Sequence, residues 1–279
     1  MPKVSILIPT HNRAEVISDA VTSALNQTHE DVEVIVYDDG SNHMDGVLSK
    51  KGKDIRISPP TYQVLSKIKD KRLNYVKAKD NHGASYSRNK LMEMATGEYL
   101  MWLDSDDMCN RNRVELCLRA MDLYGPAYIR TAVTTYGSDP GNTWKLPPIV
   151  VYRGGVSFAT IMFPTSNKLK FDESYKHCCE DMDWELRYAA TYGRSVYIPM
   201  TLYCVGRKAQ DRLTMRNKNE KYSAEYKKDT ARYANVCGEV ELQMKENGNT
   251  KMPLVAPWEF IEDFTKKVYL DHYGKRLAI

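Results

Sequence analysis

The chain opens on an apolar run, Val4-Ser5-Ile6-Leu7-Ile8, that stops at Pro9. A run of this kind, rather than an alternation, predicts a strand covered on both faces, as in the middle of a parallel sheet. Apolar residues then recur at Val16, Ile17, Ala20, Val21, Ala24 and Leu25, one face of a helix. Asn12 is the candidate cap of that helix. A second apolar run, Val32–Tyr37, ends in Asp38-Asp39-Gly40-Ser41. Strand, helix, strand and polar turn make a βαβ unit, so the predicted fold class is α/β. In such a sheet, ligands bind outside the carboxyl ends of the strands.

The pattern continues along the chain. Residues 42–72 hold Pro59-Pro60 and many lysines, and read as an inserted loop with short helical pieces. Leu73–Val76 is a third strand, Ala84–Ala95 a helix, and Tyr99–Leu103 a fourth strand that runs straight into Asp104-Ser105-Asp106-Asp107. Asn110 is the candidate cap of a helix whose inner stripe is Val114, Cys117, Leu118 and Met121. Tyr128–Tyr136 reads as a strand, and Glu180–Tyr192 as a helix stopped by Gly193. Val196–Ile198 and Leu202–Val205 read as short strands around Pro199. Charged helices are expected over 217–247 and 257–273. The expected organisation is a domain over 1–206, a mostly parallel mixed sheet flanked by helices, and a C-terminal appendage over 207–279, a basic loop followed by helices.

With 279 residues, 42% apolar and 27% charged, the chain has enough material for a large core, which excludes bulk disorder. No apolar run approaches the roughly 20 residues needed to span a bilayer, and no small-residue cleavage site follows the first strand. The six cysteines form no C-x-x-C pair, which predicts reduced thiols. The expected location is therefore the cytoplasm, in solution or peripherally on the membrane. The net charge of +4 conceals an uneven distribution. Residues 50–79 carry ten Lys/Arg against Asp54 and Asp70, and residues 207–232 carry nine against Asp211, Glu220, Glu225 and Asp229. Two basic segments on an acidic body are either solvated surface or contacts for an anionic partner.

Both acidic turns, Asp38-Asp39 and Asp104 to Asp107, fall on the rim where ligands bind. Crowded carboxylates are costly unless a cation or a donor answers them. Asp104 and Asp106, one residue apart in a turn, suit Mg²⁺ or Mn²⁺, which take oxygen ligands from one or two carboxylates and from substrate phosphates. Taken singly, each turn also reads as an ordinary polar turn. Their occurrence at the ends of two apolar strands favours a site.

The ordered set Val4-Ser5-Ile6-Leu7-Ile8-Pro9-Thr10-His11-Asn12, Ser23-x-x-x-Gln27-Thr28, Val36-Tyr37-Asp38-Asp39-Gly40-Ser41, Gly83-Ala84-Ser85-x-Ser87-Arg88-Asn89, Gly97-Glu98-Tyr99, Leu103-Asp104-Ser105-Asp106-Asp107 and Glu180-Asp181-x-x-x-x-x-Arg187 resembles a family 2 glycosyltransferase. The resemblance covers residues 1–205 and implies the GT-A fold and an inverting transfer from a nucleotide sugar, UDP-linked, with Mn²⁺ or Mg²⁺ as cofactor. It implies that Pro9, Thr10 and His11 line the nucleobase pocket, that Asp39 accepts hydrogen bonds from base or ribose, and that Arg88 contacts the nucleotide. Asp104, Ser105 and Asp106 would hold ribose, metal and diphosphate, with Asp104 and Asp106 as the metal residues. Asp181 would be the catalytic base, with Asp183 the fallback. Arg207, Lys208 and Arg212 sit where relatives carry a mobile loop that meets the diphosphate. Trp184 and Asp183 are the candidate acceptor residues.

Other classes fit less well. Nucleotidyl transfer would want a glycine-rich basic loop after the first strand, where this chain has Pro9-Thr10-His11-Asn12-Arg13. A non-catalytic nucleotide- or glycan-binding module would not need the intact acidic set. The acceptor is left open between a glycan, a lipid-linked glycan and a modified nucleic acid, and a homo-oligomer is compatible with the appendage.

Overall fold

The computed structural model describes residues 2–50, 53–135, 157–206, 224–248 and 254–255. Strand β1, Val4–Thr10, lies in the middle of the sheet and pairs in parallel with β2, Val32–Asp38, on one side and with β6, Tyr99–Trp102, on the other. Val4, Ile6, Leu7 and Ile8 are fully buried, the two-sided burial that the apolar run predicts. Strand β5, Leu73–Lys77, extends the parallel set beyond β2. Beyond β6 the sheet becomes mixed. β9, Met162–Pro164, runs antiparallel between β6 and β8, Tyr128–Thr135. Strand β10, Ser195–Val205, is parallel to β8 and to β11, Leu254–Val255, and antiparallel to β7, Met108–Cys109. Among the described residues the order is β11-β10-β8-β9-β6-β1-β2-β5.

The helices cover both faces. α1, Ile17–Leu25, buries Ile17, Ala20, Val21, Ala24 and Leu25, as its periodicity predicts. Each fully buried Val, Leu or Ile side chain contributes about 1.5–3 kcal/mol. α3, Ala84–Met94, α4, Arg113–Tyr124, and α5, Glu180–Tyr192, complete the layers. The last helix among the described residues, α6, Ala224–Asn247, sinks Val240 and Met244 into the core that holds Trp184 and Tyr188. The helix expected over 257–273 lies outside the described residues.

Three local expectations are corrected. Asn12 does not cap α1, whose first flanking residue is Val16. Asn12 instead takes a φ of 53°, donates its N–H to Ser41 Oγ (2.8 Å) and accepts the N–H of Asn42 at Oδ1 (3.0 Å). It ties the loop after β1 to the loop after β2, and asparagine is among the residues that tolerate such a φ. Asn110 likewise lies ahead of α4, where its Oδ1 accepts the N–H of Asn112. The two short strands around Pro199 are one strand, β10, with register shifts between Ile198 and Tyr203. Within 42–72 the structure places a hairpin, β3, Val47–Lys50, against β4, Lys53–Arg56, and then a short helix α2, Thr61–Leu65.

Candidate active site

The register brings both acidic turns to one rim. Thr10 at the end of β1 pairs with Asp38, and Asp39 N–H donates to Thr10 O (2.8 Å). On the other flank Leu103 N–H donates to Leu7 O (3.0 Å) just before Asp104. Strands β2 and β6 therefore flank β1, two strand spacings or about 10 Å apart across the sheet.

The first turn divides its two carboxylates. Asp38 is fully buried, and accepts the N–H of Ser41 at Oδ1 and the hydroxyl of Tyr75 at Oδ2 (2.6 Å). It shapes the turn. Asp39 accepts the N–H of His82 at Oδ1 (3.0 Å) and of Gly83 at Oδ2 (2.8 Å), the backbone that leads into α3. Gly40 has a φ of +68°, and a Cβ there would lie 2.5 Å from the carbonyl carbon of Asp80. Only glycine allows this approach. His11 Nδ1 donates to Asp39 O (2.9 Å), the tautomer that leaves Nε2 to accept from Asn12 Nδ2 (3.1 Å). His82, which the sequence reading missed, stacks on Tyr86 with ring centroids 4.5 Å apart, and its Nδ1 lies 3.7 Å from Asp39 Oδ1. Pro9 is half-buried. Thr10 Oγ1 is buried with no hydrogen-bond partner among the described residues, a hydroxyl at the rim without a protein acceptor.

The second turn alternates. Asp104 and Asp106 are half-buried, while Ser105 and Asp107 are buried. Tyr203 of β10 holds the turn from beneath: its hydroxyl accepts the N–H of Asp104 (3.2 Å) and donates to Asp107 Oδ2 (2.8 Å). Asp107 Oδ1 accepts the N–H of Gly206 (2.8 Å). Burial, then the charges of Asp104 and Asp106, push the Asp107 carboxyl up to about 7. Arg113, fully buried, bonds to the carbonyls of Trp102 and Ala159 and lies over the Tyr203 ring.

α3 and α5 close the rim. Arg88 donates from Nη1 to Glu180 Oε1 at 2.9 Å and packs over the rings of Phe158 and Phe171. Burial works against its charge, but the carboxylates of Glu180, Asp104 and Asp181 outweigh burial and raise its pKa. The guanidinium thus sits among residues from the β6 turn and from the start of α5. Asp181 accepts the N–H of Met182 (2.8 Å), and its carboxyl is pushed up by burial and by Glu180, against the pull of Arg88.

The acceptor assignment is corrected. Trp184 is fully buried, donates Nε1–H to Leu169 O (2.6 Å), and packs among Phe158, Phe163, Phe171 and Tyr188. Asp183 is 1% exposed, accepts from Tyr175 at Oδ1 and is paired with Arg187 at Oδ2, so it serves neither acceptor nor proton transfer. The reason is helical phase: positions 183, 184, 186 and 188 of α5 face the core, and 180 and 181 lead into the rim. Arg207, Lys208 and Arg212 lie outside the described residues, directly after Gly206.

Two half-buried carboxylates one residue apart, offering oxygen alone, fit a hard divalent ion that takes its remaining ligands from phosphate and water. No group of three His, Cys, Asp or Glu side chains placed to hold a metal occurs among the described residues. All six cysteines are unpaired.

A twisted, mostly parallel sheet with acidic turns on the rim and a second acidic pair at a helix start defines a GT-A glycosyltransferase scaffold. Residues 5–191 match the sequence profile of Glycosyl transferase family 2, and the chain belongs to that family. It is 38% identical over 120 residues to a putative teichuronic acid biosynthesis glycosyltransferase, TuaG, of Bacillus subtilis, covering 43% of this chain and 42% of TuaG. It is 35% identical over 107 residues to the Escherichia coli UDP-Glc:alpha-D-GlcNAc-diphosphoundecaprenol beta-1,3-glucosyltransferase WfaP, covering 38% of this chain and 36% of WfaP. The matched stretch is thus less than half the length of either relative. Among solved structures, S. aureus TarS in complex with UDP-GlcNAc superposes with a TM-score of 0.59 at 20% identity, covering 76% of this chain and 60% of that one. The mannosyltransferase PcManGT of Pyrobaculum calidifontis, in complex with GDP-Man and Mn²⁺, gives 0.56 at 15% identity, covering 83% and 64%. At these identities the likeness is one of fold. No described helix is long and apolar enough to cross a membrane.

Proposed function

We propose that the chain transfers a sugar from a nucleotide sugar, UDP-linked, to an acceptor hydroxyl in one inverting displacement. The observation that carries this reading is the Arg88–Glu180 pair at 2.9 Å, which joins α3 to the start of α5 next to Asp181, with the charges of Asp104 and Asp181 also acting on the guanidinium. The donor would lie along the rim, its base against Pro9, Thr10 and His11 and its ribose near Asp39 and Ser105. A divalent cation held by Asp104 and Asp106 would neutralise charge developing on the departing diphosphate. Arg207, Lys208 and Arg212 are proposed to add cationic contacts to the same group.

Asp181 would take the proton from the acceptor hydroxyl. The acceptor oxygen then attacks the anomeric carbon, the bond from that carbon to the phosphate oxygen breaks, and the nucleoside diphosphate leaves with the electron pair. A single displacement inverts the anomeric configuration. Arg88 would act here by fixing Glu180 beside Asp181 and by keeping Asp181 more acidic than its burial alone would allow.

The acceptor proposed is lipid-linked and met at a membrane surface. Support comes from the charge of the segment 50–79, from its exposed Ile55, Ile57 and Tyr62, and from the diphosphoundecaprenol acceptor for which the relative WfaP is named.

The test is a panel of sugar nucleotides with Mn²⁺, read by nucleotide release and by mass spectrometry of products. UDP-sugar turnover by the wild type, lost about 10²–10⁴-fold in Asp181→Asn with nucleotide binding retained, is expected. No turnover and no thermal shift with any nucleotide overturns the reading.

A further inference from the structure

The family match ends at residue 191, yet α6, well beyond it, reaches back to the segment that carries Glu180 and Asp181. Asp229 of α6 is 3% exposed. Its Oδ2 accepts three successive backbone N–H groups, from Lys176 (3.1 Å), His177 (2.8 Å) and Cys178 (3.3 Å). Amides that converge in this way form a nest for an anion. The three donors are only partly buried, so the full penalty of about 1–3 kcal/mol for a buried donor without an acceptor is an upper bound for each.

The next residue, Cys179, has a φ of 69°, a left-handed conformation that side chains with a Cβ adopt at a cost. Its carbonyl accepts the N–H of Asp183 (2.9 Å), so the opening turn of α5 begins at once. The chain passes from nest to helix through that single residue, and Glu180 and Asp181 are the two that follow. The same face of α6 adds a second tie. Arg232 bonds Asp172 (3.0 Å) and lies over the Tyr175 ring, whose hydroxyl donates to Asp183.

We propose that Asp229 is a positioning residue for Asp181: its carboxylate fixes the backbone from which the base projects. The inference rests on Asp181 being the base. Asp229 touches neither the strands of the proposed donor site nor the reacting atoms, so its loss displaces the base and leaves donor contacts in place.

The experiment compares wild type, Asp229→Asn and Asp229→Ala in transfer kinetics, calorimetric nucleotide affinity and thermal melting. Asparagine keeps the shape and one accepting oxygen without the charge. The expected loss in kcat is about tenfold for Asp229→Asn and about 100-fold for Asp229→Ala, with nucleotide affinity and donor KM within about twofold of wild type. A folded Asp229→Asn with wild-type kcat overturns the inference, whether or not Asp229→Ala folds. So does a loss of kcat matched by an equal loss of nucleotide affinity, which is a structural role alone. If the wild type transfers no sugar to any acceptor, the functional reading falls first and this inference with it. Wild-type transfer with Asp229→Asn unaffected removes this inference only.

Discussion

Arg88 and Glu180, 92 positions apart in the chain, are joined at 2.9 Å, with side chains only 11% and 14% exposed. One helix supplies the cation and another the anion, so the pair locks α3 against the start of α5. Asp39, which anchors the backbone entering α3, extends the lock to the first acidic turn. The rim is thus one connected set of charges.

Breaking that pair tests the connection. Arg88→Met strands Glu180 among Asp181 and Asp104, and loss of one partner of a buried pair costs about 3–5 kcal/mol. Denaturant unfolding should show a loss of this order. The pH profile should move as well. Arg88 pulls the Asp181 carboxyl down against burial and Glu180, so its removal raises the pKa of the proposed base. A general base works when deprotonated, and the acid limb of kcat/KM should shift to higher pH. An unshifted limb in a folded variant would separate Arg88 from Asp181.

Glu33 carries the stability prediction with pH. Burial opposes its charge, but hydrogen bonds from Ser5, Lys3 and Thr96 hold it down at about 2. Its unfolded value lies near 4.3. A depressed carboxyl contributes stability that is present above the unfolded pKa and lost as pH falls through the folded one. Urea midpoints of the wild type should therefore drop between about pH 4 and pH 2. Glu33→Gln should start lower at pH 7 and show a shallower decline across that window. Parallel curves would mean that Glu33 is not the titrating group.

Much of this architecture can be read directly from residue order, and the limits are instructive. Val4–Ile8 and Val32–Tyr37 are legible because both faces of those strands are buried and the code is simply apolar. The acidic turns are legible because topology places them at strand ends. The division of labour between Asp38 and Asp39 is not, because it depends on Tyr75 and Gly83, far along the chain. Trp184 and Asp183 could have been assigned to the core from the helical spacing of Trp184 with Tyr188 and of Asp183 with Arg187. Asp229 carries no signal at all. It is one acid in a charged helix until the fold brings three amides to it.

Gly206 tests how tightly the second turn is held. A Cβ there would lie 2.0 Å from the backbone oxygen of Asp106, and backbone cannot swing aside as a side chain can. Gly206→Ala must therefore push the Asp104–Asp107 turn away from β10 and stretch the bond from Gly206 N–H to Asp107. A stability loss of about 1–3 kcal/mol is expected, the range for overpacking. The thermal shift given by UDP with Mn²⁺ should shrink too, since Asp106 moves. A full shift in a stable Gly206→Ala protein would place the nucleotide away from this turn.

The basic segment gives the last test, which separates a membrane from a soluble polyanion. Among the described residues, Ile55 and Ile57 are 52% and 51% exposed, with Tyr62 also exposed, and they sit within a stretch rich in lysine. A polyanion would be served by the lysines alone, whereas a bilayer surface takes both charge and apolar side chains. Each lysine near an anionic surface is worth about 1 kcal/mol. Replacing Lys67, Lys69 and Lys71 together by Gln should therefore weaken co-sedimentation with phosphatidylglycerol-containing vesicles by about 100-fold. Ile55→Ser with Ile57→Ser should weaken vesicle binding and leave heparin binding unchanged. Vesicle binding that survives the isoleucine changes and is competed fully by heparin would assign this segment to a soluble polyanion instead.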